Sequence, residues 1–242
     1  AYEIRLSLVG SEMCIRDRYV TQAEQAIKKL KVKKIKQITK FSPKFEPHEI
    51  APIIRGLLSD SHPDQKFIVN YKLNKHLKYF TNGKNVKTYS SKGTATPDHV
   101  IRVKPFPLII TPRKNSTIEE FKLIAEKAFI KYRKKYIKYF NVNKNKVKEK
   151  KVMLDTSPRV ILVQNVGLFT VGDSLNAAKI AGDLTETNAR VISSVEETSK
   201  YKFIPEKDIF DVEYWSLEQA KINKMKKILA GNVVVVTGST GR

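Results

Sequence analysis

The 242-residue chain contains a single cysteine, Cys14, so it cannot build an internal disulfide framework or a cysteine-based zinc site. Its four histidines, His48, His62, His76 and His99, are isolated, with no His-x-His pair among them, and one imidazole without a partner is a poor metal ligand. No G-x-S-x-G elbow offers an activated serine. Long apolar runs are also missing: stretches such as Val233–Val236 fall far short of the ~18 residues that a spanning helix requires. The expectation is a soluble, cytoplasmic protein without a membrane partner.

Acidic residues are scarce as well. Lys and Arg number 46 against 24 Asp and Glu, a formal charge of +22. Such an excess suggests nucleic acid or an anionic surface. The lysines, however, are dispersed from Lys28 to Lys227, mixed with Ile and Asn, and greatly outnumber arginine. That pattern fits the codon bias of an AT-rich genome better than a clustered footprint with exposed aromatics.

Periodicity organises what remains. Val20, Ala23, Ala26, Ile27 and Leu30 recur at helical spacing, and an alternating basic connector follows to Lys40. A short helix is expected at Ile50–Leu58, and Lys66–Leu73, His99–Lys104 and Leu108–Thr111 read as strands. Ser116 and Glu119 form a candidate capping box for a helix that keeps Phe121, Phe129, Tyr132, Tyr136 and Phe140 on one face and lysines opposite. The near-continuous apolar run in PRVILVQ predicts a strand buried on both faces. After NVGLFTVG, Asp173 or Ser174 caps a helix with an inward stripe that includes Ala181, Asn188, Val191 and Ile192. Asp211 and Glu213 read as helix-terminal charges, because residues two apart on a helix diverge.

The final segment, NVVVVTGSTGR, has the form of a strand running into a glycine turn, as at the start of a dinucleotide-binding fold. The blocks DIFDVEYWSLEQAK with LAGNVVVVTGSTG, GTATPDHVIRVKPFPLII, and PRVILVQNVGLFTVGDSLNAAKIAGDL resemble, in the same order, the bifunctional rhamnulose-1-phosphate aldolase/short-chain dehydrogenase family. The resemblance implies an α/β fold: a class II aldolase/adducin-like middle domain followed by the first strand of a Rossmann fold. It implies zinc and NAD(P) in the parent protein, with Thr237, Gly238, Ser239 and Gly241 as the nucleotide turn. It further implies a sugar-phosphate or aldehyde substrate. In the family's strand–turn–helix motif a histidine that ligates zinc follows an asparagine; here Val166 stands in its place. The middle region therefore reads as degenerate, without catalytic residues of its own. Asp98, His99, Arg102 and Lys104 are candidate anion- or substrate-binding groups, with a turn cap, a half-buried histidine and exposed cations as the plainer alternative.

Residues 1–18 resemble translated sequencing-library adapter, since back-translation fits adapter, index and transposase-end DNA codon by codon. Their six charges cancel, leaving the excess to the rest of the chain. The resulting expectation is an artefactual segment at 1–18, the end of an upstream aldolase domain and a connector at 19–40, a middle domain at 41–200, a helical linker at 201–230, and a truncated dehydrogenase start at 231–242. Two alternatives stay open: a structural, oligomerising or sugar-phosphate-binding module, and a basic nucleic-acid-binding protein.

Overall fold

The computed structural model describes residues 6–60, 64–147, 149–220 and 231–237. Its centre is a four-stranded mixed sheet in the order β1-β4-β3-β2, formed by β1 (Ile68–Lys72), β2 (Leu108–Ile110), β3 (Val160–Val163) and β4 (Gly167–Gly172). β4 pairs antiparallel with both β1 and β3, and β2 runs parallel to β3. β3 and β4 are buried at every position, as a central strand covered on both faces requires.

Side-chain alternation along β3 sorts the core into two layers. Ile161 and Val163 join Phe169, Val171 and residues of α2 (Pro47–Ser59), α6 (Ile118–Lys144) and α8 (Glu206–Glu213) on one face. Val160 and Leu162 join residues of α3 (Lys75–Thr81), α4 (Val86–Tyr89) and α7 (Leu175–Thr198) on the other. Helices thus cover both sides of the sheet. Phe121, Phe129 and Tyr136 of α6 are fully buried, so they do not form the exposed stacking platform that a nucleic-acid reading needs.

Several elements depart from the sequence-based expectations. Residues 97–103 are not a strand: Pro97–His99 forms a 3₁₀ turn that runs into α5 (Val100–Val103). Pro97 opens that turn, and Val100 and Val103, spaced for one helical face, are both buried. The cap of α6 is shifted by one residue. Thr117 accepts from the Glu120 amide, and Glu120 returns the bond to Thr117, while the buried Ser116 hydroxyl accepts from Arg113. The same helix extends to Lys144, one turn beyond Phe140, the last residue of its expected apolar face. In α7, capped by Ser174, Val191 is exposed; Ala189 and Ser193 are buried instead.

At the N-terminal side, α1 (Leu6–Lys28) runs unbroken across the expected boundary after Arg18. Val20, Ile27 and Leu30, which recur at helical spacing, are exposed. The connector after it does dock: Lys33 donates to the Glu197 carbonyl and Lys84 to that of Lys36. At the other end, residues 232–237 form no strand, and Val233–Val236 are 61% to 84% exposed. The expected Rossmann strand is thus not seen among the described residues 232–237. Gly238, Ser239 and Gly241 lie outside the described residues, and Thr237 is exposed. Among the described residues no helix is long and apolar enough to cross a membrane.

Candidate functional site

The two ends of the sheet carry different chemistry. Where β3 turns into β4, Asn165 adopts a left-handed backbone (φ 65°), which asparagine tolerates better than most residues. Its amide donates to the Asn82 side chain at 2.7 Å. Val166 follows, buried, and its carbonyl accepts from the Tyr71 hydroxyl at 3.0 Å. A cavity of about 420 Å³ opens beside this turn, lined among others by Lys40, Glu46, Tyr71, Lys78 and Val166. An isopropyl side chain at the turn cannot ligate a cation. Among the described residues no three His, Cys, Asp or Glu side chains converge to hold a metal. The turn therefore does not fit zinc.

The opposite end, where β3 begins and β4 finishes, gathers buried charge. α5 ends at Lys104, whose φ of 63° is unusual for a residue with a Cβ. Its ammonium donates to the Asp155 carbonyl and lies 3.7 Å from the centre of the Tyr136 ring. Four residues beyond Asp155, Arg159 meets that carboxylate with both terminal nitrogens, at 3.0 Å and 2.5 Å. Such a two-point pairing is stronger and more directional than a single contact. Arg159 also faces the Phe67 ring.

Glu213, the last residue of α8, completes the cluster. It is 1% exposed, and the Tyr136 hydroxyl donates to its Oε1 at 2.8 Å. Tyr136 shares a further contact of 2.9 Å with the Tyr214 hydroxyl. Glu213 Oε2 is buried without a hydrogen bond of ordinary geometry.

Burial sets the titration of these groups, because a low-dielectric site disfavours charge. It lowers the Lys104 ammonium to about 8, against the attraction of Asp155. It pushes the Glu213 carboxyl up, although Lys104 and the tyrosine hydroxyls oppose the shift. Burial alone would raise Asp155 too, but the positive charges of Arg159 and Lys104 prevail and hold it at about 2.

A cavity of about 300 Å³ adjoins this cluster, lined by residues that include Arg102, Lys104, Asp155, Arg159 and Glu213. Of the four substrate-binding residues expected from sequence, the structure brings Arg102 and Lys104 to this cavity. Asp98 is exposed, and His99 sits apart, its Nδ1 3.3 Å from Asn188 Oδ1 of α7. Lys104 is not one of the exposed cations of the plainer alternative. Asp155, Arg159 and Glu213 were not expected to participate. Glu213 in particular is no helix-terminal surface charge: it lies on the buried face of α8 with Ile209 and Phe210, and that spacing is visible in the sequence.

The residues 46–222 match the family described as "Aldolase class II, second domain". The chain belongs to this class II aldolase second-domain family. The Bacillus subtilis protein named "Uncharacterized oxidoreductase YuxG" is 25% identical over 195 residues, covering 79% of this chain and 27% of that protein. The chain thus spans about a quarter of the length of this relative. The crystal structure of Escherichia coli YgbL, a candidate aldolase/epimerase/decarboxylase, superposes with a TM-score of 0.45 at 14% identity, over 67% of this chain and 64% of that one. The mixed α/β sheet with helices on both faces is the form the second-domain family takes here.

Proposed function

We propose that this chain is the second, non-catalytic aldolase-type domain of a bifunctional enzyme that splits a ketose 1-phosphate of the rhamnulose type and oxidises the aldehyde product. The observation that carries the reading is a family match over 46–222 combined with a buried Val166 at the turn where the resemblance places a zinc-binding histidine. The oxidoreductase name of a longer relative supports the second activity. In the whole protein, zinc belongs to the upstream aldolase domain. NAD(P) belongs to a dehydrogenase domain whose glycine turn includes Thr237, Gly238, Ser239 and Gly241. The described residues 232–237 form no strand, and Gly238, Ser239 and Gly241 lie outside the described residues. The chain's own role is to fold as an α/β unit that joins the two activities, and a homo-oligomer of the parent is compatible with that role.

The test is an aldolase assay of the purified chain with rhamnulose 1-phosphate and added zinc, following dihydroxyacetone phosphate. The expected result is no release above background. Zinc-dependent cleavage would overturn the non-catalytic assignment.

A further inference from the structure

The segment 231–237 changes character within two positions. Gly231 is buried and Asn232 half-buried, whereas Val233–Val236 are 61% to 84% exposed. What holds the first two residues comes from α2 and from the approach to β1. Arg55, half-buried on α2, donates through Nε to the Phe67 carbonyl at 2.9 Å and through Nη2 to the Gly231 carbonyl at 2.9 Å. Lys66 adds a bond of 2.7 Å from its Nζ to Asn232 Oδ1.

Two features make this contact specific. A guanidinium is planar and carries its donors at fixed spacing, so the one side chain sets the distance between the two carbonyls it joins. Gly231 adopts a φ of 72°, and a Cβ at that position would lie 2.5 Å from the Lys66 carbonyl oxygen. A backbone oxygen cannot swing aside as the end of a side chain can, so the close approach requires glycine. The bond joins residues 176 apart in sequence and fastens a late part of the chain to an early helix. Immediately beyond it stand four valines, whose branched side chains favour an extended backbone. We propose that Arg55 is a positioning residue that clamps the chain at Gly231 and thereby fixes where the valine segment leaves this domain. In the bifunctional parent the clamp makes the joint to the dehydrogenase domain stiff, in place of a free linker. That consequence rests on the function proposed above, whereas the clamp itself does not.

Nuclear magnetic relaxation of the ¹⁵N-labelled whole chain tests it. Backbone amides in fixed structure have order parameters of about 0.85, and flexible ones fall below about 0.6. Gly231 and Asn232 are expected at the rigid value, level with Val69 of β1. Arg55→Ala should bring both into the flexible range while Val69 stays rigid. Arg55→Lys should do the same, since an ammonium keeps the charge but cannot span two carbonyls as the fork does. Gly231→Ala should release Asn232 with Arg55 still in place. A wild-type chain already flexible at Gly231 and Asn232 would overturn the proposal, as would values that stay rigid in any of the three variants. An equal drop at Val69 would also overturn it, because Arg55 would then support the packing of α2 on β1 and not the exit of the chain. These amides report neither enzymatic activity, so their result and that of the aldolase assay fail separately.

Discussion

The turn end and the charged end of this sheet lie on the same two strands, β3 and β4, yet they keep different kinds of group out of water. At the turn, Val166 is buried as an alkyl group, and the nearby polar contacts run through backbone atoms, as with its carbonyl and Tyr71. At the other end, Lys104 and Glu213 are themselves buried, and Asp155 and Arg159 are half-buried beside them. Hydrophobic packing tolerates a change of side chain far better than a buried ionic network does, because the network fails when any one partner is removed. The comparison shows where this domain depends on particular side-chain chemistry, and it is not at the Val166 turn.

The strongest way to break that contrast is Arg159→Ala. It strands the Asp155 carboxylate, and the expected destabilisation is about 3 kcal/mol near neutral pH, measured by urea unfolding. Asp155 is depressed to about 2 in the fold, so it contributes stability above the ordinary aspartate range and loses it as pH falls through about 2. The penalty of the substitution should shrink along that descent. A loss equal at all pH values would show that the ion pair is not its source.

Glu213→Gln probes the opposite sign. Its folded carboxyl is raised, so the unfolded chain ionises first. The wild-type protein therefore loses stability as pH rises from the ordinary glutamate range through the raised folded value. The Gln variant removes that loss, and it should equal or exceed the wild type by about 1 kcal/mol at neutral pH. Wild-type and variant unfolding curves that stay parallel from pH 4 to 8 would argue against a strained carboxylate. The smallest effect is expected at the turn. Val166→His places one imidazole where no further ligands converge among the described residues, so metal analysis after dialysis should find no stoichiometric zinc. Retained zinc would show that the turn end holds more donor chemistry than described.

The layered architecture was legible because β3 and α6 carry their patterns within short windows. A strand buried on both faces shows as PRVILVQ, and one apolar face of α6 recurs through Phe121, Phe129 and Tyr136. The cap of α6 was misplaced by one residue because Ser-Thr-Ile-Glu-Glu contains two overlapping boxes. Only the burial of Ser116 against the Arg113 amide decides between them. HVIRVK failed as a strand because its few apolar positions suit either period, and the turn at Pro97 settles the matter. Of the charged site, Arg102 and Lys104 were found by their cationic character. Glu213 was missed because its surroundings come from Tyr136, 77 residues away. Its place on the stripe with Ile209 and Phe210 was the available local sign.

One margin of the sheet has a consequence for how these molecules meet one another. β2 is three residues long and, among the described residues, pairs with β3 alone. Pro107 stands directly before it, and Pro112 follows two residues after its last position. Neither proline has an N–H to offer an incoming strand, so a second chain approaching this edge would find a short ladder interrupted at both ends. The margin nearest the buried core is thereby guarded against edge-to-edge growth, which lets an apolar central strand lie one position from the rim without templating fibres.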